Sequence, residues 1–504
     1  MSETTVYESE YLDSIPSGRR RIYSDTIPET PEEVLKIINQ ALTIHEKNRK
    51  DIKKLIMYYL GVHDIYNRAP NYSSDVNNKL SINYSQSITR DIVGYTFGKD
   101  IEYVQKNIED SEKVRELVSI LEYINAPLED EITATYCSIC GVGYECALAS
   151  DDYLDDPEAG IKISHLNPLN TFAVYSHEIN EPVILTCTYY TGDDSITRYG
   201  VFTKDKKYVI HNLDKKDIED LGFHGFKDNP ITVFENNHFL TGDYETALTI
   251  LDAIDKVSSD SINDIENFVQ SLLVFINATL GDDEDERDRV RKQIKENRII
   301  EIKSPQGMNA DAKYITQQLN PETTKALREY LEESLWKVVG IPDRKTRGGG
   351  GGDTGDAVKL RDGWADLEVL ARNKEKFFRK GKRQQLSIIL DILSYVNDKL
   401  ANLKARNIEI KFSRNKNDNL STKAQAYSTL IATETLDPRD ALDIVDITTN
   451  VNEIASRGEK YFEKYYSNYN LGGTNGNSNE QQSDGNTDEE TEVPVVQQTA
   501  SKNR

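Results

Sequence analysis

The stretch DYETALTILDAIDKVSSDSINDIENFVQSLLVFINATL, residues 243–280, decides how the rest of the chain is organised. Its apolar residues recur at steps of three and four, which is the spacing of one face of an α-helix. At about 1.5 Å per residue, such a helix runs roughly 40 Å. We therefore predict one long helix here. Its apolar face consists of Leu248, Leu251, Ile254, Val257, Ile262, Ile265, Val269 and Leu272.

The opposite face of this predicted helix is acidic. Two interpretations are open: the carboxylates form an ordinary solvated face, or they line something that is itself negatively charged. The acidic residues of this face are Asp243, Asp252, Asp255, Asp260, Asp264 and Glu266.

A second long helix returns after a small inserted unit. PETTKALREYLEESLWKVVG, residues 321–340, has Pro321 at its start and Gly340 after its end, as helices commonly do. The insertion before it contains an acidic helix start, a basic helix end and two predicted strands, RIIEI and AKYIT. The two long helices therefore flank a small α/β unit like the legs of a hairpin.

The N-terminal part of the chain divides into an arm, a helical region and a β-rich region. Residues 1–30 are polar and are predicted to form an extended arm. Helical spacing begins at Pro31, after Thr30 as candidate N-cap, and predicts two helices before Gly61. Further helices follow, and from Gly143 to about Phe234 short β-branched and aromatic runs predict strands.

The C-terminal part begins with a run of five glycines, Gly348 to Gly352. A third very long helix follows, then the strand IEIKFSRNKN and two shorter helices, up to about residue 468. The remaining residues are rich in Asn, Gly, Ser, Gln and Glu and are predicted to be disordered. Together these elements predict an α+β fold that is mainly helical.

The glycine run has several possible interpretations. Gly350, Gly352 and Gly355 match the dinucleotide-binding fingerprint, but a helix precedes them where that motif needs a strand. The phosphate-binding loop pattern fails, because no Gly-Lys-Ser/Thr closes the run. Two interpretations remain open. The glycine run is a flexible linker, or it is a mobile loop whose basic residues Arg344, Lys345 and Arg347 make contact with a moving polyanion without holding it.

The charge of the chain limits the ways in which it can bind nucleic acid. The 504 residues carry a formal net charge of −24. Tight binding of nucleic acid needs Lys and Arg to displace counterions, so this balance argues against it. An acidic surface does allow nucleic acid to slide past, since like charges repel. The chain contains no run of 18 apolar residues and no signal-peptide pattern, so we expect no membrane span.

Cysteine and histidine offer little support for catalysis. Cys137, Cys140 and Cys146 cluster, but no second pair follows at zinc spacing, and Cys187 is isolated. We interpret the three clustered cysteines as small buried residues, since free Cys is among the most buried residue types. The seven histidines have no metal or triad partner at motif spacing. We therefore expect no enzyme, cofactor or metal; the alternative is a nucleotide- or thiol-dependent enzyme that uses the glycine loop or the cysteine cluster.

The order of these elements resembles the portal proteins of tailed double-stranded DNA bacteriophages, in particular the branch found in long-tailed phages of Gram-positive hosts. The resemblance covers roughly residues 30 to 470 and rests on order and spacing rather than on one diagnostic motif. The sequence segments that resemble the family are YYLGVHDI, LSINYSQSITRDIVGYTFGKDIEY, GVGYECAL, NPLNTFAVY, ITVFENNHFLTGDYETALTILDAIDKVSSDSINDIENF and GDAVKLR.

The resemblance implies a ring, usually a dodecamer, at one vertex of the capsid, built from wing, stem, clip and crown. By position, its parts are the N-terminal arm 1–30, the wing 31–242 and 357–415, the stem helices 243–272 and 321–341, the clip 273–320, the tunnel loop 342–356, the crown 416–468 and a disordered acidic tail 469–504.

The resemblance also implies a structural function without catalysis. Double-stranded DNA would be packaged and later ejected through the ring without sequence-specific binding. The terminase large subunit would dock during packaging and a head-completion or adaptor protein afterwards, and scaffolding and major capsid proteins would surround the ring. The protein would be assembled in the host bacterial cytoplasm and reside in the virion.

Two sets of site residues follow from the resemblance. The tunnel-loop cations either touch DNA phosphates or pair with acidic residues of a neighbouring subunit, and both options remain open. The tunnel loop comprises Arg344, Lys345, Thr346, Arg347, Gly348, Gly349, Gly350, Gly351, Gly352, Asp353, Thr354 and Gly355. The predicted partner surface of the clip comprises Arg287, Arg291, Lys295, Lys303 and Lys313.

Overall fold

Most of the described strands are consecutive in the chain and lie between two groups of helices, as expected for a mixed α and β fold. The computed structural model describes residues 17–70, 76–149, 160–269, 272–276, 283–285, 287–289, 292, 311–315, 321–342, 364–414, 420–432, 436–445 and 451–466. The helices are α1 Pro31–Tyr59, α2 Tyr84–Phe97, α3 Ser111–Tyr123, α4 Ala126–Cys140, α5 Leu248–Val269, α6 Pro321–Val339, α7 Trp364–Val396, α8 Leu420–Ile431, α9 Pro438–Val445 and α10 Val451–Tyr466. The strands are β1 Ile22–Ser24, β2 Glu102–Gln105, β3 Val142–Ala149, β4 Ile161–Leu166, β5 Thr171–Ser176, β6 Val183–Thr191, β7 Thr197–Thr203, β8 Lys206–Asn212, β9 Asp217–Phe223, β10 Ile231–Glu235, β11 Leu272–Ile276, β12 Asp311–Ile315 and β13 Ile408–Lys411.

Helix α1 is one helix of 29 residues, so the prediction of two helices between residues 31 and 61 is wrong. Its start is as predicted: the Thr30 side chain accepts a hydrogen bond from the backbone of Glu33, whose own side chain bonds back to Thr30. The buried face continues without interruption because His45 and Asn48 occupy buried positions. These two polar residues break the apolar pattern in the sequence but not the helix.

The β-rich region forms two sheets. A six-stranded sheet has the order β1-β5-β6-β7-β8-β9, and a three-stranded sheet has the order β10-β3-β4. Strand β1 runs parallel to β5, whereas the other pairs in these sheets are antiparallel. The sequence analysis missed β1 and β9. The first has only three residues, and the second is a largely exposed edge strand without an apolar face.

Helix α5 is shorter than the sequence predicted. It ends at Val269, and Leu272–Ile276 forms strand β11, so a helix that continues to residue 272 and beyond is wrong. Strand β11 pairs antiparallel with β12, which corresponds to the predicted strand AKYIT. The residues LLVFI favour a strand because β-branched and aromatic residues fit a pleated sheet. The predicted strand RIIEI lies outside the described residues.

Among the residues described after β13 there are three helices, where the sequence predicted two. Pro438 occupies the first position of α9, where its fixed φ is compatible with a helix and its missing N–H costs nothing. The same proline cannot sit inside a continuous helix without breaking a hydrogen bond. The predicted helix across residues 421–446 is therefore two helices, α8 and α9.

Buried ion pairs attach the long helix α7 to the rest of the fold. The Lys382 ammonium lies 3.0 Å from Glu145 Oε2 on β3 and also pairs with Asp130 on α4; all three side chains are buried. About two turns earlier on the same side, Lys374 lies 2.7 Å from Asp243 Oδ1. Removing one partner of such a pair is costly because it leaves an uncompensated charge in the interior.

We predict that Gly381→Ala destabilises the fold. A Cβ atom at Gly381 would lie 2.7 Å from the ring of Phe234, which is fully buried. Overpacking of this kind costs about 1–3 kcal/mol, and the better helix propensity of Ala offsets only about 1 kcal/mol. The thermal unfolding midpoint should fall. Gly94→Ala is the matched control: it lies inside α2 with open space around it, so its midpoint should rise. Equal midpoints for the two variants would contradict this packing.

Candidate channel site at the stem helices

Helices α5 and α6 share one buried apolar cluster. Leu251 and Ile254 of α5 and Leu335 and Val339 of α6 belong to it. Residues of α1, α2 and α4 complete the cluster, so this end of the helix pair is embedded in the helical part of the N-terminal region. The hairpin of two long helices predicted from the sequence is thus fixed at one end by hydrophobic burial.

Both ends of the glycine-rich segment are anchored in the same cluster. The described chain stops at Pro342 and resumes at Trp364. Ile341, just before the segment, is 7% exposed, and Leu367, just after it, is 2% exposed; both are members of the cluster. The predicted tunnel-loop residues, Arg344 through Gly355, lie outside the described residues. The structure therefore shows where this segment starts and where it returns: both points are in the shared apolar cluster.

The polar face of α5 binds an extended segment of the chain. Asp255 Oδ1 accepts a hydrogen bond from the Ile82 amide at 2.8 Å. One turn on, Ser259 Oγ accepts from the Leu80 amide at 2.9 Å. The backbone N–H of Asn78 donates to Asn263 Oδ1 at 2.7 Å. Three helix side chains thus form a ladder with three alternate amides of residues 78–82.

The ladder works because two repeats match in length. Four residues of a helix rise about 6 Å, and two residues of an extended chain span about 6.6 Å. Side chains at positions i, i+4 and i+8 of the helix can therefore meet every second amide of a straight segment. The consequence is that the segment 78–82, which has no sheet partner in the described structure, has its inward amides satisfied by α5.

Several acidic residues of α5 make specific contacts inside the subunit. Asp255 also pairs with His63, at 2.5 Å from its Nδ1, and both side chains are buried. Asp252 accepts a hydrogen bond from the Tyr58 hydroxyl at 2.5 Å. Asp260 lies 2.6 Å from Arg68. Asp243 is bound to Lys374, so four of the six carboxylates of the predicted acidic face make specific contacts within the subunit.

The first turns of α7, directly after the glycine-rich segment, are held by Glu368. Its carboxylate accepts hydrogen bonds from Tyr95 at 2.7 Å, Arg372 at 3.0 Å and Arg414 at 3.0 Å. Burial opposes its ionisation, but the bonds from these three donors outweigh burial and lower the pKa of Glu368 to about 2. Arg414 also pairs with Glu375 of α7.

The end of the N-terminal arm is part of the fold. Arg19 lies 2.6 Å from Glu245, in the turn directly before α5, and both side chains are buried. Arg20 pairs with Asp51 of α1 at 2.8 Å. Arg21 pairs with Glu235 of β10 at 2.7 Å. Residues 1–16 lie outside the described residues.

The three clustered cysteines are buried, as the sequence analysis expected. All four are free thiols in the core. Burial raises the pKa of Cys140 and of Cys146 to about 12, and raises that of Cys137 further. Such thiols are not reactive nucleophiles at neutral pH. Within the described ranges, no three His, Cys, Asp or Glu side chains group as a metal site would require.

The clip residues are only partly described. Arg287 is exposed, and its backbone N–H donates to the Asp283 carbonyl at 3.2 Å. Lys313 is in β12, opposite Val274 of β11. Arg291, Lys295 and Lys303 lie outside the described residues. The partner surface predicted for the clip therefore stays a prediction.

The sequence analysis missed the ladder and the arginine contacts of the arm. A signal for the ladder was present: Asp255, Ser259 and Asn263 repeat every four residues in a helix. Asp, Ser and Asn are poor interior helix residues, because their side chains compete for backbone hydrogen bonds. Their repetition on one face indicates that these side chains form hydrogen bonds with another part of the chain. Glu245 and Glu235, which accept hydrogen bonds from Arg19 and Arg21, lie more than 200 residues away from them and give no local signal.

Comparison with known proteins identifies the family. The family model for phage portal proteins, SPP1 Gp6-like, matches residues 38–461. The chain therefore belongs to the SPP1 Gp6-like family of phage portal proteins. The portal protein of Clostridium phage phiCD119 is 21% identical over 395 residues, which cover 72% of this chain and 84% of the relative.

Two solved structures are also similar to this chain. One is a chain from the neck of an empty gene transfer agent (GTA) particle, 13% identical, with a TM-score of 0.40; the match covers 72% of this chain and 90% of that one. The other is from the virion of a native gene transfer agent particle, 13% identical, with a TM-score of 0.40; the match covers 79% and 94%.

Family membership confirms the resemblance inferred from the sequence. The chain functions at the phage portal vertex, and a channel for DNA packaging is consistent with its family. The family is one of structural virion proteins. No helix in the described part of the chain combines the length and apolar character needed to cross a bilayer.

We predict that Ser259→Ala loosens the segment 78–82. The variant removes the acceptor of the Leu80 amide, and one lost hydrogen bond of this kind costs about 1 kcal/mol. Hydrogen exchange of the Leu80 amide should therefore accelerate about fivefold. Ser261→Ala is the matched control, because in the described part of the chain Ser261 Oγ donates a hydrogen bond within its own helix, to the Val257 carbonyl. Unchanged exchange at Leu80 in the Ser259 variant would show that the ladder does not hold this segment.

We predict that the contribution of Glu368 to stability disappears in acid. Its pKa is lowered in the folded state, so its stabilisation is present above the ordinary value of about 4.5 and is lost as pH falls towards about 2. Glu368→Gln should therefore destabilise by on the order of 2 kcal/mol at pH 7 and by much less near pH 2. Chemical denaturation at several pH values measures this.

Asp366→Asn is the control for the acid experiment, since Asp366 is an exposed carboxylate in the same turn of α7. Its variant should change stability little at any pH. A pH-independent loss for Glu368→Gln would show that the carboxylate acts through packing and not through charge.

Proposed function

We propose that copies of this chain close into a ring, a dodecamer by resemblance to the family, whose central channel conducts double-stranded DNA. Helices α5 and α6 form the stem, and β11 and β12 belong to the clip. The N-terminal helices, the sheets and α7 form the wing, and α8 to α10 form the crown. The segment 342–356 is the tunnel loop and faces the channel.

The observation that carries this proposal is the anchoring of the loop. Ile341 and Leu367, on either side of the glycine-rich segment, are buried in the same cluster as the stem helices. Glycine adopts backbone conformations that other residues avoid, so five of them in a row give a pliable segment on a fixed base. A loop of this kind stays at one height in a ring while its tip follows a passing duplex.

The net negative charge of the chain favours a channel in which DNA slides and is not tightly bound. A net charge of −24 per subunit repels DNA on average. Arg344, Lys345 and Arg347 would supply transient contacts to backbone phosphates, which position a duplex but read no sequence. The competing possibility is that these cations pair with acidic residues of the next subunit.

The partners follow from the position of each part. In the proposed ring, the clip contacts the terminase large subunit during packaging and the head-completion or adaptor protein afterwards. Scaffolding and major capsid proteins contact the outside of the ring as it is assembled in the host bacterial cytoplasm. The clip residues proposed for the docking surface are Arg287, Arg291, Lys295, Lys303 and Lys313.

The enzyme alternative has less support. A thiol-dependent reaction needs an accessible thiolate, whereas Cys137, Cys140 and Cys146 are buried and burial raises their pKa. A nucleotide-binding glycine loop needs a strand before it, whereas α6 precedes this segment. We therefore propose a conduit that performs no chemistry itself.

We predict that replacing Gly349, Gly350 and Gly351 together by alanine impairs DNA packaging while rings still assemble. Alanine restricts the backbone freedom that the loop needs to follow the duplex. The amount of packaged DNA should fall about tenfold, measured by nuclease protection in a phage that carries the variant portal gene. Negative-stain microscopy of the same variant should still show rings.

The matched control replaces Gly472, Gly473 and Gly476, in the predicted tail, by alanine. It makes the same chemical change outside the proposed channel and should package normally. Normal packaging by the loop variant would contradict a mobile-loop role, and compact monomers for both variants and the parent protein would contradict the ring itself.

A further inference from the structure

The exposed face of α1 carries a basic patch in an otherwise acidic protein. Lys47, Lys50 and Lys53 follow each other at three-residue steps and are all exposed. Among the contacts that the structure describes, their ammonium groups take part in no ion pair or hydrogen bond. The neighbouring cations differ, since Arg49 pairs with Glu46 and Lys54 with Asp64.

The same face becomes apolar at the end of α1. Met57 is 39% exposed, Leu60 65% and Val62 43%. From Lys47 to Leu60 the helical rise of about 1.5 Å per residue gives a stripe roughly 20 Å long. The stripe is basic in its first half and apolar in its second half. We call it the α1 stripe.

One segment of the chain has the complementary order of charge and apolar residues. DEETEVPVV, residues 488–496, has four carboxylates within its first five positions and then Val493, Pro494, Val495 and Val496. This segment lies outside the described residues. In extended form its acidic and apolar halves together span roughly 25 Å, which is close to the length of the α1 stripe.

We infer that residues 488–496 of the tail, from the same or a neighbouring copy of the chain, bind along the α1 stripe. The carboxylates of Asp488, Glu489, Glu490 and Glu492 lie against the three lysines. The valines cover the exposed apolar residues at the end of α1, and both chains run in the same direction.

A long stretch of chain separates the last described helix from the acidic segment. The described chain ends at Tyr466, and residues 467–487 lie between α10 and the acidic segment. These residues can span up to roughly 70 Å when extended. The contact is built from several individually weak surface ion pairs plus modest apolar burial, so we expect it to weaken as salt is raised.

The first experiment identifies the occupant of the stripe. Full-length protein, assembled as it is purified, is treated with a water-soluble carbodiimide, which joins a carboxylate to a lysine only where the two are in contact. Peptide mass spectrometry should find Lys47, Lys50 or Lys53 joined to the carboxylates of residues 488–492.

The second experiment measures how much the tail shields the lysines. The variant Asp488→Asn/Glu489→Gln/Glu490→Gln/Glu492→Gln keeps the size of the segment and removes its charge. Acetylation of Lys47, Lys50 and Lys53 by a limiting reagent should become about tenfold faster than in the parent protein. Lys204, Lys215 and Lys216 are exposed elsewhere and serve as the internal reference, whose rates should not change.

Glu480→Gln/Asp484→Asn is the matched tail control, because it neutralises acidic residues outside the proposed segment and should leave all rates unchanged. Two results would overturn the inference. In one, Lys47, Lys50 and Lys53 of the parent protein react as fast as the reference lysines. In the other, they are shielded but are joined to an acidic segment other than residues 488–492.

Discussion

The structure depends on the way in which helix α5 is held on two opposite faces. Its apolar face is buried with α6 in the shared cluster, and its polar face hydrogen-bonds the segment 78–82. A helix held on one face only can tilt about that contact. With both faces occupied, and with Arg19 bound to Glu245 in the turn before its first residue, α5 has a fixed direction relative to the helices of the N-terminal region.

Helix α7 is also fixed in position, but by buried ion pairs rather than by an apolar cluster and a hydrogen-bond ladder. Lys374 and Lys382 tie its middle to the turn before α5 and to the three-stranded sheet, and Arg414 ties its first half to the chain that leads into α8. Charges in the interior tolerate little displacement, because separation of the partners exposes an unpaired charge to a medium of low polarity. The segment between α6 and α7 therefore joins two rigid elements.

The sequence predicted correctly those features that depend on neighbouring residues. The capped start of α1 at Thr30, the strands from β3 to β8 and the two long helices on either side of the insertion all follow from local periodicity. The errors have a common cause. One helix was read as two because His45 and Asn48 are polar yet buried, and α5 was read too long because LLVFI also fits a helical pattern until its partner strand β12 is known. In the candidate site, the sequence shows that the glycine-rich segment lies between two long helices, but it gives no sign that Ile341 and Leu367 are buried in one cluster.

The sequence by itself determined the class of protein: the order of its helices, insertion and glycine run indicates the portal family, and these signals lie within short windows of the chain. Only the tertiary structure decided what the charged residues of those elements do. Asp255 meets His63 and Ile82 across more than 170 positions, and Arg19 meets Glu245 across 226. Periodicity shows which face of a helix is polar, but it carries no information about the distant segment that the face binds, because that choice is made by packing of the whole chain.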